Sequence, residues 1–348
     1  DSVGADYNAF TSKDFTCYYV KLQSDRLPLA VDMIEDMIYH SVYREKDVMA
    51  ERKVIHEEIR MYEDNPSMLV EELMEEELFR GSPLGRRISG TVETMNGISR
   101  DELAGFRDRY YVPSRTVIAV AGKFDEAATL EMLEEKFGKK EAKGKPTPYA
   151  RRPRSAGRGP RVRIEHRETE QVQLAIGFPS FAHGDPRLAA TSLLCVALGG
   201  TMSSRLFMAV REKRGLAYSV HASHQPFQDI GCLTIGAGLA KARVHDATRV
   251  IMREIRRIRD KDITKEELSR SREYIKGKMI LGLEDSSNLA DWFGKQELLT
   301  RRVETPDEKL QKIFAVTTED VRKVAAEVFR PERLAMGIIG PYTDGNEF

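Results

Sequence analysis

The chain is poor in cysteine and tryptophan, with three Cys and one Trp in 348 residues. Cys17, Cys195 and Cys232 are far apart and odd in number, so they indicate neither a disulfide framework nor a paired-cysteine metal site. They favour a reducing, cytoplasmic location. No apolar run approaches the roughly 20 residues that a membrane helix needs, and the formal net charge is zero. We therefore expect no membrane or nucleic-acid partner.

Size and composition bound the fold class. Hydrophobic residues make up 41% and charged residues 32% of the chain, which is typical of a folded globular protein. A length of 348 residues favours two domains over one core. The opening Asp1-Ser-Val-Gly-Ala carries no signal-peptide pattern and no helix start, so we expect it to lie inside a domain.

Two acids stand out on a predicted helix from about Glu45 to Phe79, which we expect to break near Asn65-Pro66. Glu51 and Glu58 are seven residues apart and project from nearly the same angle. Together with Ile55 and Tyr62 they form a stripe with core-facing spacing. Two acids on a buried stripe would indicate a site, whereas a solvated, Glu-rich face is the alternative interpretation.

Other segments have clear signals. Residues 7–22 and Val117 to Ala121 are predicted as strands, and residues 99–110 and 125–137 as helices. Ser99 and Glu102 have capping-box spacing. Residues 139–160 are rich in Pro, Gly and basic residues, and a solvated tether is favoured over a nucleic-acid patch. We therefore predict domains at 1–138 and 161–348, joined by this linker.

The pattern repeats along the chain. YYVPSRTVIAVAG at 110–122 matches VFRPERLAMGIIG at 328–340, and the helix holding Arg52 matches the one holding Arg272 at an offset of 220. At that offset Ser271 stands opposite Glu51, and Lys278 stands opposite Glu58. A lysine there would repel a cation, so we expect only the first copy to carry chemistry.

Several motifs in the same order resemble the insulinase-type zinc peptidases, in particular the bacterial and mitochondrial processing branch. They are VGADYNAFTSKDFTCYY (3–19), ERKVIHEEIRMYEDNP (51–66), SPLGRRISGTVETM (82–95), YYVPSRTVIAVAG (110–122) and SSRLFMAVREKRGLAYSV (203–220). The resemblance implies an α+β fold of two homologous domains, each a mostly antiparallel sheet with helices on one face. It also implies a zinc-dependent endopeptidase that acts on unfolded peptides.

The resemblance assigns roles to particular residues. Glu58 would be a zinc ligand and Glu51 its supporting or catalytic partner. Asn8, Ala9 and Thr11 would bind a peptide substrate by strand addition. Arg211 and Tyr218, from the second copy, would grip and polarise the substrate carbonyl; a basic helix residue and a plain strand aromatic are the alternative interpretations. A homodimer or a paired homologous subunit is the expected assembly.

One family motif is missing. The H-x-x-E-H segment, which supplies two zinc ligands and the general base, occurs nowhere in these 348 residues. We therefore predict that this chain alone binds no zinc and cleaves no peptide. The first hypothesis is a zinc endopeptidase whose motif segment is absent from this sequence. The alternative is a non-catalytic peptide-binding or assembly subunit; an α+β protein unrelated to peptides is a third.

Overall fold

The computed structural model describes residues 2–141 and 159–343, so most of the predicted linker lies outside the described residues. The chain divides into two compact units, each of which takes residues from both repeats. The first unit comprises the described parts of Asp1–Ile59, Ile88–Tyr149 and Leu281–Glu304, and the second those of Arg60–Arg87, Ala150–Ile280 and Thr305–Phe348. No described helix is both long and apolar enough to cross a membrane.

The first unit is mainly helical around one hairpin. Its strands β1 and β2 pair antiparallel, and its helices come from both repeats. In chain order its elements are β1 (Asp6–Thr11), β2 (Thr16–Lys21), α1 (Leu27–Tyr39) and most of α2 (Glu45–Glu63); α4 (Val92–Gly97), α5 (Arg100–Tyr110), α6 (Glu126–Phe137) and α10 (Ser286–Thr300) complete it.

The second unit contains a five-stranded sheet. Its order is β3-β7-β4-β6-β5, with β3 parallel to β7 and the other pairs antiparallel. The elements are α3 (Pro66–Leu78), β3 (Arg161–His166), β4 (Gln171–Ser180), α7 (Leu188–Cys195), β5 (Ala217–Pro226), β6 (Gly231–Ala240), α8 (Val244–Asp260), α9 (Lys265–Gly282), α11 (Pro306–Ala315), α12 (Thr318–Val328) and β7 (Ala335–Gly340). The predicted α+β class and two sheets are confirmed.

Helices cover both faces of this sheet. Leu174 and Ile176 of β4 point into the large core shared with α7, α8 and α12, whereas the neighbouring Ala175 packs with α3. This alternation follows from the two-residue period of a strand. The α3 layer is an addition to the single helical face that we predicted, and it comes from the first repeat.

Two glycines allow α3 to lie close to the strands. A Cβ on Gly337 would stand 2.4 Å from the Val70 carbonyl oxygen, and one on Gly177 would stand 2.0 Å from the Met74 Sδ. The bare backbone at both positions therefore accommodates the helix. In the first unit the small residue lies on the helix instead, since a Cβ on Gly294 of α10 would stand 3.2 Å from the Ala119 Cβ.

The structure confirms the internal repeat at the level of single contacts. Arg52 donates to the Ile98 carbonyl at 2.7 Å, and its counterpart Arg272 donates to the Val316 carbonyl at 2.5 Å. The capping box predicted at Ser99 is present and recurs at Thr317. The predicted helix break is also confirmed, because α2 ends at Glu63 and the Asn65 side chain caps α3.

The prediction of a strand at Val117 to Ala121 is wrong for this structure. The segment forms no strand, although its counterpart Ala335–Gly340 is the fully buried β7. In the second repeat β7 pairs with β3 and β4. No strand among the described residues pairs with Val117 to Ala121.

Candidate functional site

The predicted substrate strand is exposed. All six residues of β1 are exposed, and within the described residues β1 pairs only with β2. The Ala9 N–H donates to the Asn8 side-chain Oδ1 at 2.8 Å, and the Thr11 and Thr16 hydroxyls lie 3.3 Å apart across the hairpin. The structure thus places Asn8, Ala9 and Thr11 on one strand that has a free edge in this part of the chain.

The edge position of β1 has a counterpart in the second repeat. Asp6 pairs with Lys21, and at an offset of 215 His221 pairs with Gly236, a register that continues to the end of both hairpins. The second hairpin contains β5, the edge strand of its sheet. The repeat therefore assigns an edge position to β1 as well, because equivalent strands occupy equivalent places.

Helix α2 presents its two acids to solvent, which corrects our prediction of a core-facing stripe through Glu51, Ile55, Glu58 and Tyr62. Glu51 and Glu58 are exposed, whereas Val48 and Ile59 are buried. The buried stripe runs through 48, 52, 55 and 59, so it shares Ile55 with the predicted stripe but leaves out both acids. It is fixed there by the half-buried Arg52 and its bond to the Ile98 carbonyl.

The second repeat buries the position that Glu51 occupies. Ser271 of α9, its counterpart, is 3% exposed, whereas Lys278, the counterpart of Glu58, is exposed. Helix α7 and the π-helical turn at Phe207–Glu212 precede β5 in the second repeat. Glu51 is thus an exposed acid at a position that is buried in the second repeat.

Arg211 and Tyr218 lie in consecutive elements of the second unit. The Arg211 guanidinium lies over the Phe207 ring, with its Cζ 5.0 Å from the ring centroid. Tyr218 is 60% exposed and stands at the register shift of β5 between Ala217 and Ser219. A bulge of this kind redirects a side chain away from the regular sheet pattern. Both side chains are exposed, as substrate-contacting residues would need to be.

Two histidines of β5 lie on opposite faces of the sheet, as their spacing predicts. His221 lies 3.4 Å from Glu71 of α3, whereas His224 lies 3.1 Å from the Ser192 hydroxyl of α7. Burial, aided by the positive charge of Lys309, lowers the pKa of His224 to about 4. His224 is therefore neutral at physiological pH, and its ring packs within the second unit beside Ser192.

The second unit also contains a basic cavity that the sequence motifs did not predict. Its cations come from the segment before β5 and from α8, namely Arg205, Lys213, Arg214, Arg253 and Arg257. No local charge run marks them, because up to 52 positions separate members of the set. Only the tertiary structure brings them together.

Comparison with known proteins gives a consistent result. Residues 1–92 match the family model described as insulinase (peptidase family M16), and residues 97–275 match the model described as the peptidase M16 inactive domain. An uncharacterized zinc protease of Streptomyces coelicolor is 38% identical, covering 99% of this chain and 76% of its own length. The chain belongs to the M16 peptidase family.

A second sequence relative and a solved structure are also similar to this M16 chain over nearly its whole length. The uncharacterized zinc protease YmxG of Bacillus subtilis is 37% identical over 98% of this chain and 82% of its own length. A crystal structure of a protease from Helicobacter pylori superposes with a TM-score of 0.88 at 22% identity, covering 98% of this chain and 82% of that one. The structural likeness shows the fold, and the sequence relatives show the family.

A catalytic zinc ion does not fit the described residues of this M16 chain. They contain no group of three or more His, Cys, Asp or Glu side chains that could hold a metal ion. A catalytic zinc site takes three protein ligands, and Glu58 by itself offers a single exposed carboxylate. No zinc-dependent step is therefore assigned to the side chains in the described part of the chain.

Proposed function

We propose that this M16 chain belongs to a processing-type zinc endopeptidase that acts on unfolded peptides, and that the 348 residues alone cleave nothing. The exposed β1 edge carries this proposal, because an unpaired strand edge offers backbone donors and acceptors to an extended peptide. Asn8, Ala9 and Thr11 would then lie beside the bound backbone.

The Asn8 side chain supports this role for β1. Its Oδ1 accepts the Ala9 N–H in the peptide-free structure, so this backbone donor is satisfied locally. A bound strand would supply a carbonyl in place of the amide oxygen, and that exchange leaves no donor unpaired. The local bond thus protects the edge until a peptide arrives.

Two sets of side chains have different proposed roles: the acids of α2 at the metal, and Arg211 and Tyr218 at the substrate. Glu58 would supply one zinc ligand to a site completed by an H-x-x-E-H segment that this sequence does not contain, and Glu51 would support it. Arg211 and Tyr218 would hold the substrate carbonyl, since a guanidinium and a phenol both donate hydrogen bonds. Their exposure is compatible with this role.

Metal content and cleavage test the proposal together. The purified 348-residue chain should hold far less than one zinc per chain and should not cleave a fluorogenic peptide. A chain extended with an M16 segment carrying H-x-x-E-H should gain both properties, and Glu58→Gln should then lose at least about tenfold in zinc affinity. Glu57→Gln, at the neighbouring exposed position of the same helix, which points about 100° away, is the matched control.

The outcomes are distinct. Chelator-sensitive cleavage by the 348 residues alone would show that they contain a complete metal site. Full activity of the extended Glu58→Gln variant would show that Glu58 is not a zinc ligand. For the strand, hydrogen exchange with an extended peptide should protect β1 amides and leave the β5 edge unchanged. Equal protection of both edges would contradict a specific role for β1.

A non-catalytic subunit is the second candidate. The observation that favours it is the match of residues 97–275 to the M16 inactive domain, together with the lysine at the position equivalent to Glu58. Such a subunit would bind peptide or a homologous partner without hydrolysis. Failure of the extended chain to cleave, with retained peptide protection of β1, would favour this alternative.

Self-association is part of the proposal. Exposed apolar side chains of the first unit include Tyr7 (48%), Phe10 (41%), Val54 (50%) and Phe106 (56%). We expect these side chains to contribute to an interface with a second copy or with a homologous subunit. Light scattering should therefore detect a dimer whose population rises with concentration; a monomer throughout the series would contradict this.

A further inference from the structure

A cavity of about 490 Å³ lies in the second unit, apart from Arg211 and Tyr218. Its walls come from the segment around the π-helical turn before β5, from α8 and from the start of α9. The polar and charged residues that line it are Ser203, Ser204, Arg205, Lys213, Arg214, Arg253, Glu254, Arg257, Thr264 and Glu267. All of them lie in one unit, so the cavity is complete within it.

The lining carries an excess of positive charge. Its two acids already have arginine partners: Glu267 accepts two bonds from Arg205, at 2.7 and 2.8 Å, and Glu254 accepts from Arg257 at 3.1 Å. Lys213, Arg214 and Arg253 remain as a surplus of three cations. Arg253 also approaches Glu254, but its Nε is 3.8 Å from the carboxylate, so this contact is weaker than that of Arg257.

The acids hold the wall in place. Glu254 is 5% exposed, and the bidentate Arg205–Glu267 pair joins the segment before β5 to α9. Two parallel bonds fix a guanidinium in both position and orientation. The wall is therefore held by two arginine–glutamate pairs, and the three surplus cations beside them have exposed side chains.

One polar group in the cavity wall lacks a partner. Ser204 is 3% exposed, and its Oγ makes no hydrogen bond within the described part of the chain. A buried hydroxyl without a partner costs about 1–3 kcal/mol. The Ser204 Oγ has almost no exposed surface, so the side chain would have to rotate to offer this bond to a ligand oxygen in the cavity.

We propose that this cavity binds a phosphate-bearing ligand with at least two negative charges. Tetrahedral phosphate oxygens suit guanidinium and ammonium donors together with serine and threonine hydroxyls, and the surplus cations match such an anion in charge. The volume accommodates more than a single phosphate group. This binding does not depend on the proposed peptidase role, because it uses none of the peptidase residues.

Calorimetric titration of the 348-residue chain tests the proposal. Inorganic pyrophosphate and ADP should bind saturably, with one site per chain and with an affinity that falls as salt rises. The double variant Lys213→Ala/Arg253→Ala should lose at least about tenfold in affinity, since each removed cation takes away a charge-assisted bond. Ser204→Ala should lose several-fold without loss of folding.

Two comparisons complete the test. Arg249→Ala, on an exposed side of α8 with Asp246 as its partner, should bind normally. Pyrophosphate binding equal to that of ADP would identify the phosphate groups as the recognised part, and tighter ADP binding would identify a nucleotide. Absence of saturable binding, an equal loss for Arg249→Ala, or tighter binding of poly-glutamate would overturn the proposal.

Discussion

In the second repeat β5 and β6 are two strands of a five-stranded sheet, whereas the equivalent β1 and β2 of the first repeat form a sheet of two. The hairpins themselves match. Each has a four-residue loop closed by an equivalent bond, from the Ser12 N–H to the Phe15 carbonyl in one and from the Phe227 N–H to the Ile230 carbonyl in the other. The hairpin register is thus set locally, because loop length and turn chemistry fix it.

The sheet around each hairpin is not set locally. Strand β6 is buried along nearly its whole length between its neighbours, whereas its counterpart β2 is half-buried in the middle and exposed at both ends. The segment equivalent to β7 does not form a strand at Val117 to Ala121, although its sequence is as apolar. A strand needs neighbours for its backbone groups, so the same signal yields different structures in the two repeats.

Helices α3 and α10 show the same contrast. Each begins at an equivalent side-chain cap, Asn65 in one and Asp285 in the other. Six residues of α3 are buried, and none of α10 is. The sheet beneath α3 is complete, so burial follows from the partner surface and not from the helix alone.

Shortening a buried side chain of α3 should have the largest effect on stability. Leu73 is fully buried against the sheet, so Leu73→Ala should lower the free energy of unfolding by about 2–5 kcal/mol. Phe293→Ala, at the equivalent position of the half-buried α10, should cost less than half as much. Urea unfolding of both variants measures the difference, and equal losses would show that the two helices are equally embedded.

Acid should weaken the second unit through His224. Burial holds its folded-state pKa at about 4, below the unfolded value of about 6.5. Between these two values the unfolded chain binds a proton that the folded chain does not, so stability falls as pH falls. At pH 4 the loss from this group is about 3 kcal/mol.

Substitution isolates that contribution. His224→Ala, which places at this position the residue type of its first-repeat counterpart Ala9, should flatten the stability profile between those pH values. Parallel profiles for wild type and His224→Ala would contradict a buried neutral histidine.

Much of the local structure could be predicted from the sequence. Two confirmed predictions rest on signals within a few residues, namely the helix break before Pro66 and the Ser99 capping box. The repeat that relates Arg52 to Arg272 is also confirmed, and it could be predicted because short matching motifs mark both copies. The transfer of α3 to the other repeat's sheet could not be predicted. It depends on Gly177 and Gly337, whose role is visible only once the strands are assembled.

The candidate site was predicted unevenly. The strand that holds Asn8, Ala9 and Thr11 is present, whereas Glu51 and Glu58 lie outside the buried stripe of their helix. Successive helical residues point about 100° apart, so the sequence pattern left more than one face of the helix as a possible buried face. The half-buried Arg52 lies on the face that is buried in the structure. The basic cavity escaped prediction because tertiary contacts alone assemble its cations.

The smallest expected effect concerns the N-terminal caps of α5 and α12. It tests whether a helix cap contributes equally to stability in the repeat with the two-stranded sheet and in the repeat with the five-stranded sheet. The Glu102 N–H donates to the Ser99 hydroxyl at 3.2 Å, and the Asp320 N–H donates to the Thr317 hydroxyl at 3.1 Å. Because each bond is local, Ser99→Ala and Thr317→Ala should each cost about 1 kcal/mol, and Ser99→Thr should cost little. Urea unfolding midpoints provide the comparison. A loss confined to Thr317→Ala would show that the cap matters only where a complete sheet supports the helix, and the two repeats would then differ in their local structure as well as in their sheets.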